Sequence, residues 1–353
     1  MLLHQVNPHG GDIYRHKIRL DYSANLNPFG TPPLVKEAIV KASECLYPYP
    51  DPYCEDLRKA IARKENVPAE FIFCGNGAAE LIFSYGIATK PKKVLIVAPT
   101  FCEYAQSLNY QETEITYYYL KEEKEFTLSD DILNTITREY DTVYLCNPNN
   151  PTGKCVPYDL LQKLLMKCKE YGVRLFVDEC FLEWASGAIS LVGECMKYPN
   201  LFVLKAFTKS YGMAGVRLGY AICSDYELFQ RMSETSQTWN VSTCAQLAGI
   251  AACKCEDFFM KAKTHIELER IRLIHNLKKC NVQVIEGEAN FLLLKSELNL
   301  FEKLLERGIL IRDCSNFIGL TKGYYRIAVK SKEENDILLN EIIDLCDHRR
   351  EGE

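Results

Sequence analysis

Five short apolar runs, each followed by residues of helical period or turn character, constrain the fold of this chain more than any other feature. They are FIFCG from residue 71, KVLIVAP from 93, TVYLCN from 142, VRLFVDE from 173 and NLFVLKAF from 200. A strand that is apolar along its whole length must be covered on both faces. Helices between successive strands supply that cover in a mostly parallel α/β sheet. One cover is legible in detail. In DLLQKLLMKCKEYG, Leu160, Leu161, Leu164, Leu165 and Cys168 fall on one helical stripe, and Gly172 supplies the stop.

After about residue 225 the pattern changes to a long helical stretch through Arg272. NFLLLKS, GILIRDC and YYRIAVK follow, with helix signals between them, which predicts a smaller α+β unit. The N-terminal residues are rich in Gly, Pro and Asn and lack a helical period, so they are expected across that smaller unit or the cleft. The expected division is a segment over 1–35, a larger unit over 36–235 and a smaller one over 236–353. A chain of 353 residues with 47% hydrophobic residues can bury two such cores.

The net charge of -5 and the lack of a basic cluster argue against nucleic-acid or anionic-membrane partners. No window reaches the roughly 18 apolar residues of a membrane span, and MLLHQVNPHGGD lacks the plan of a leader, so a cytoplasmic protein is expected. The 16 cysteines are scattered, many within apolar runs, and read as reduced buried thiols rather than a disulfide framework. Cys253 and Cys255 have no matching second pair and the six histidines show no ligand spacing, so no metal site is expected.

Two strand ends carry the chemistry. Lys209, in AFTKSYGMAGVRLGY, follows a strongly apolar strand and so opens onto the crevice where doubly wound sheets bind ligands. Its amine suits a covalent link to an aldehyde cofactor once partly desolvated. Thr208 and Arg217 suit a phosphate, the first through its hydroxyl and the second through a bidentate guanidinium. Alone, a lysine near an arginine is equally a solvated surface pair. The neighbouring run VRLFVD ends in Asp178, and a buried carboxylate there needs a cation such as a protonated pyridine nitrogen. An acidic loop residue at a strand exit is the plain alternative.

Three turns add to this. In NPNNPTG, residues 147 to 153, Asn150 can donate its amide to a ring hydroxyl. GNGAAE from 75 leaves a strand and opens a helix, so the amides of Gly77 and Ala78 suit a phosphate. Phe101 in APTFCEY offers a flat face for a pyridine ring, or is a core aromatic.

GNG, PTF, NPNNPTG, Asp178 and TK…R occur in the order and spacing of class I/II aminotransferases, and the resemblance spans essentially the whole chain. It implies the type I fold of pyridoxal-phosphate (PLP) dependent transferases, with a mostly parallel seven-stranded sheet in the large domain and a smaller α+β C-terminal domain. It implies that Lys209 carries PLP and Asp178 pairs with its ring nitrogen. Asn150 would bind the ring oxygen, Phe101 would stack, and Gly77, Ala78, Thr208 and Arg217 would hold the phosphate. The family's active site lies at a homodimer interface, so Tyr49 resembles the tyrosine given to the partner's cofactor phosphate. Two positions depart from the pattern. Ala206 stands where many relatives have a phosphate-binding hydroxyl, and Phe181 where a tyrosine usually binds the ring oxygen.

HGGDIY at 9–14, DYSANLNPFG at 21–30, YPDPY at 49–53, DECF and IRDCSNFIGL…YYRIAVK resemble the threonine-phosphate decarboxylases of cobamide (cobalamin) synthesis, which are similar to histidinol-phosphate aminotransferases. Arg312 and Arg326 lie in strand patterns that direct alternate side chains at the cleft. The resemblance assigns Arg326 to the substrate carboxylate and Arg312 to its phosphate, with His9 and Asn25. The expected reaction is decarboxylation of L-threonine O-3-phosphate. Amino transfer of the histidinol-phosphate type, serine phosphate as substrate, and a PLP-binding regulator are the alternatives.

Overall fold

The computed structural model describes residues 9–280 and 282–352. Its centre is a seven-stranded sheet. Across the sheet the strands run Ile72–Gly75, Gly219–Ile222, Leu201–Ala206, Arg174–Asp178, Thr142–Cys146, Lys93–Ala98 and Glu114–Tyr119. Gly219–Ile222 runs antiparallel to both of its neighbours, and the remaining adjacent strands are parallel. All five expected runs are strands. The other two escape the apolar pattern, because Glu114–Tyr119 is an edge strand with partly exposed residues and Gly219–Ile222 opens on a glycine and a tyrosine rather than a run of branched apolar residues.

Both sheet faces are covered. On one, Phe176 packs against Tyr85, Tyr144 and Phe202, with ring centroids 4.9–5.0 Å away for the first two and 5.0 Å for the last. Truncating a fully buried phenylalanine of this kind costs about 3 to 5 kcal/mol, so Phe176→Ala would break this core. On the other face lies the expected helix, Tyr158–Tyr171, burying Leu160, Leu161, Leu164, Leu165 and Cys168; it ends at Gly172, whose φ of 73° no branched residue adopts comfortably.

The long helical stretch proves to be three helices, Tyr226–Thr235, Thr243–Ala252 and Glu256–Lys279. Asp225 and Ser242 cap the first two through their side chains, which is why the pattern breaks there. Thr243–Ala252 packs on Pro33–Ala42 and Glu55–Glu65 of the larger unit. The boundary expected after residue 235 divides this packing, and we place the change of unit in Glu256–Lys279 instead.

The smaller unit holds a four-stranded antiparallel sheet in the order Arg312–Asp313, Tyr324–Ala328, Phe291–Lys295, Gln283–Ile285. The N-terminal segment reaches it through Leu20–Asp21, which pairs in parallel with Ile309–Leu310. Among the described residues no helix is long and apolar enough to cross a membrane. Among the described residues no disulfide joins the cysteines; most are buried, and Cys45 is exposed.

Candidate active site

Parallel strands deliver their carboxyl ends to one edge of the sheet, and a cavity of about 220 Å³ opens there. Asp178 ends its strand on the cavity wall. Its carboxylate accepts from the Tyr104 hydroxyl at 2.7 Å and from the Cys180 amide at 2.9 Å. Burial raises its carboxyl above the ordinary range, and those donors oppose the rise. Lys209 enters from the short helix Phe207–Ser210 that follows the adjacent strand. It is half-buried and lines the cavity. Burial first, then the charges of Arg326 and Arg217, lower its ammonium to about 8 despite Asp178. An amine so tuned is available as a nucleophile near neutral pH.

The phosphate end is built by close backbone approach. Gly77, with φ of 83°, opens the helix Gly77–Thr89, and a Cβ on it would stand 2.6 Å from Arg217 Nη2. Arg217 is itself left-handed, at φ 61°. Ala78, Thr208, Ala206 and Arg217 line the cavity beside these amides, where the helix terminus favours an anion.

Asn150 sits in the loop after Thr142–Cys146, braced to the smaller unit by the Glu288 amide, which donates to the Gly153 carbonyl at 2.8 Å. Arg326 donates to Asn150 Oδ1, which turns the Asn150 amide nitrogen away as a remaining donor. Arg326 also donates to the Ser23 carbonyl at 2.8 Å, while its Nε is buried with no partner. Arg312 pairs with Arg326 in the strand register, so the two share a face. Both are buried, at 7% exposure, and burial lowers both guanidinium groups, Arg326 to about 10. Arg312 is held by Asn316 Oδ1 at 2.6 Å and lies over Phe317.

His9, Asn25 and Phe101 also line the cavity. His9 Nε2 is 2.7 Å from Glu103 Oε1, and its ring centroid is 5.6 Å from that of Phe101. Asn25 Oδ1 is buried without a partner. Phe181 supplies no hydroxyl; its ring centroid is 5.7 Å from Lys209 Nζ.

Two expected residues do not line this cavity: Gly77, which lies against Arg217 at its edge, and Tyr49. Tyr49 is 75% exposed and stacks on Trp239 at 4.2 Å. Tyr104 and Glu103 also stand at the site unannounced, Tyr104 leaving no trace in the sequence but its place three residues after Phe101. His9, Cys102 and Glu103 bring potential metal-ligand atoms within 4.8 Å of one another, a grouping that no ligand spacing announced. A wider depression of about 890 Å³ lies elsewhere on the smaller unit, lined by Lys295, Asp313 and Tyr325; none of the expected site residues lines it.

These residues fit an aromatic aldehyde with a phosphate and a basic ring nitrogen. An anion cradle stands at one end, a buried carboxylate on the wall, and a lysine of lowered basicity opens onto the space between. The model of the family "aminotransferase class I and II" matches residues 16–342, and this chain belongs to that family. It has the type I fold of PLP-dependent transferases, it is an enzyme, and its cofactor is pyridoxal phosphate. It is similar to the threonine-phosphate decarboxylase of Salmonella typhimurium, with 37% identity over 91% of this chain and 89% of the relative. It is 31% identical to the histidinol-phosphate aminotransferase of Methanococcus aeolicus, over 88% of this chain and 86% of that one. The solved histidinol-phosphate aminotransferase of Clostridium acetobutylicum matches with a TM-score of 0.88 and 30% identity, covering 94% of this chain and 100% of that one.

Proposed function

We propose that this enzyme decarboxylates L-threonine O-3-phosphate, giving (R)-1-aminopropan-2-yl phosphate and CO2, as a step of cobamide synthesis in the cytoplasm. The observation that carries the reading is the pair Arg312 and Arg326, buried on facing strand positions and lining the same cavity as Lys209. Arg326 Nε, buried with no partner, asks for an anion, Arg312 brings a second guanidinium to the same cavity, and a small amino acid bearing a phosphate offers an anion to each. The relative in Salmonella supports the same substrate class.

In this reading PLP supplies an electron sink for the pair left when a bond at the substrate's Cα breaks. Lys209 would hold the cofactor through its amine and, with that amine free, would carry a proton to the substrate's Cα. Asp178 keeps the ring nitrogen protonated, Asn150 donates to the ring oxygen, and Phe101 packs on the ring. Gly77, Ala78, Thr208 and Arg217 take the cofactor phosphate. Arg326 grips the substrate carboxylate, while Arg312, His9 and Asn25 take its phosphate. Tyr49, exposed beside Trp239, reaches the partner's cofactor phosphate in a homodimer.

The likeness to histidinol-phosphate aminotransferases supports a second reading, amino transfer from a phosphorylated amine or amino acid. Which bond at Cα is held perpendicular to the ring separates the two. The test is incubation of purified protein with threonine phosphate, following CO2 release and transfer of the amine to 2-oxoglutarate. CO2 release without amine transfer is expected; amine transfer without CO2 overturns decarboxylation. Serine phosphate, one methyl smaller, is expected to react more slowly by a factor matching about 1 to 3 kcal/mol.

A further inference from the structure

We propose that Tyr104 is a positioning residue for the cofactor's ring nitrogen, acting through Asp178, whose carboxylate it keeps ionised and aimed. The inference rests on the assignment of Asp178 to that nitrogen, and not on which substrate bond is broken.

Tyr104 is fully buried in the short helix Glu103–Gln106, and its hydroxyl donates to Asp178 Oδ2 at 2.7 Å. The other carboxylate oxygen, Oδ1, accepts from the Cys180 amide at 2.9 Å. The Cys180 thiol and the nearby Lys209 amine also favour the charged carboxylate, and around Tyr104 the packing is aromatic. Tyr104 packs among Tyr144 and Phe176, with ring centroids 5.8 and 5.9 Å away, and the Phe101 ring meets its edge at 5.9 Å. In such an interior a carboxylate without donors takes up a proton, because the charged form loses its solvation. A neutral carboxyl no longer pairs with a protonated pyridine. Burial and the charge of Asp178 together hold the Tyr104 phenol well above its ordinary range, so it remains a donor. The same side chain packs against Phe101, so it braces both the carboxylate that would meet the ring nitrogen and the aromatic residue that would pack on the ring. Phe101 and Tyr104 stand three residues apart, the spacing that stacks side chains along one side of a helical turn.

The experiment compares the affinities of cofactor-free protein for PLP and for its carbocyclic analogue, in which C–H replaces the ring nitrogen. The ratio isolates the nitrogen's contribution, and general loosening of the site cancels from it. Wild-type protein is expected to prefer PLP. Tyr104→Phe is expected to cut that preference about tenfold, the effect typical of a hydrogen bond to a charged group. Asp178→Asn is expected to abolish it, and the double variant to lose nothing further, as two residues acting in series require. A Tyr104→Phe protein that weakens both ligands equally overturns the proposal, as does a further loss in the double variant. An Asp178→Asn protein with wild-type preference overturns the Asp178 assignment instead. Should Tyr104→Phe not fold, Tyr104→His, which keeps a ring and an N–H donor, is read in the same way. It is expected to hold the preference above that of Asp178→Asn, and equality with that variant overturns the proposal.

Discussion

Asp178 and Glu179 are adjacent in the chain, yet they belong to two buried charge clusters of opposite character. Behind the sheet, Glu179 accepts from Ser190 and the Leu191 amide, Lys205 meets Glu65 at 2.8 Å, Tyr220 donates to Glu65, and Lys64 meets Glu183 at 2.6 Å. Two lysines face three glutamates there, and every charge has a partner. In front, the described residues that line the cavity include Lys209, Arg217, Arg312 and Arg326 and, among carboxylates, Asp178. The lysines record the difference. Burial alone would lower Lys205, but Glu65, Glu183 and Glu179 outweigh it and hold its ammonium up. Lys209, four residues on, is pushed down to about 8. A closed cluster braces the fold, whereas one with surplus positive charge is completed by anions from outside.

The largest effect that would break this contrast is at Lys209. Lys209→Ala is expected to lower turnover by about four orders of magnitude or more and to abolish the visible absorbance of bound PLP, with the urea midpoint of the cofactor-free protein unchanged or raised. Lys205→Met is expected to do the reverse. Removing one partner from a buried ion cluster costs about 3 to 5 kcal/mol, read from the same urea titration, while turnover per folded molecule is kept. Equal stability losses in the two variants would erase the distinction.

A sharper comparison uses Arg326→Gln. Its kcat/KM with threonine phosphate is expected to fall by two orders of magnitude or so, the scale of a truncated buried charge contact, with a smaller stability loss than Lys205→Met. The smallest effect is in pH. The rate at which cofactor-free protein captures PLP is expected to rise as pH passes about 8, where Lys209 becomes neutral. Arg326→Gln removes a positive neighbour and should move that midpoint upward. Because the folded protein gives up this proton more readily than the unfolded chain, Lys209's contribution to unfolding free energy rises with pH between about 8 and its ordinary 10.5. A midpoint unmoved by Arg326→Gln would remove Arg326 as a cause.

What the sequence made legible was local. Asp178 and Lys209 could be placed because each ends an apolar run, and strand direction then carries both to one edge. The mostly parallel sheet followed from runs apolar throughout, while its two remaining strands came only with the family resemblance. Contacts between distant segments left no local trace. Tyr104 and Asp178 lie 74 positions apart, and His9 and Glu103 lie 94 apart. A hydroxyl that supports a carboxylate across such a gap looks, in one dimension, like any core tyrosine. The interruptions near 236–242 were missed because Ser242 caps a helix by a side-chain bond that apolar periodicity does not register.

Arg326 joins three parts of the chain: its own strand, the Asn150 loop and the Ser23 backbone. One hydrogen on each terminal nitrogen is thereby occupied, and the Nε edge remains to be satisfied. An arriving acid group is consequently steered to the edge of the guanidinium that these contacts leave open. The direction of approach is dictated before any ligand enters, and a molecule presenting its acid to another edge must first dislodge either the loop or the N-terminal segment.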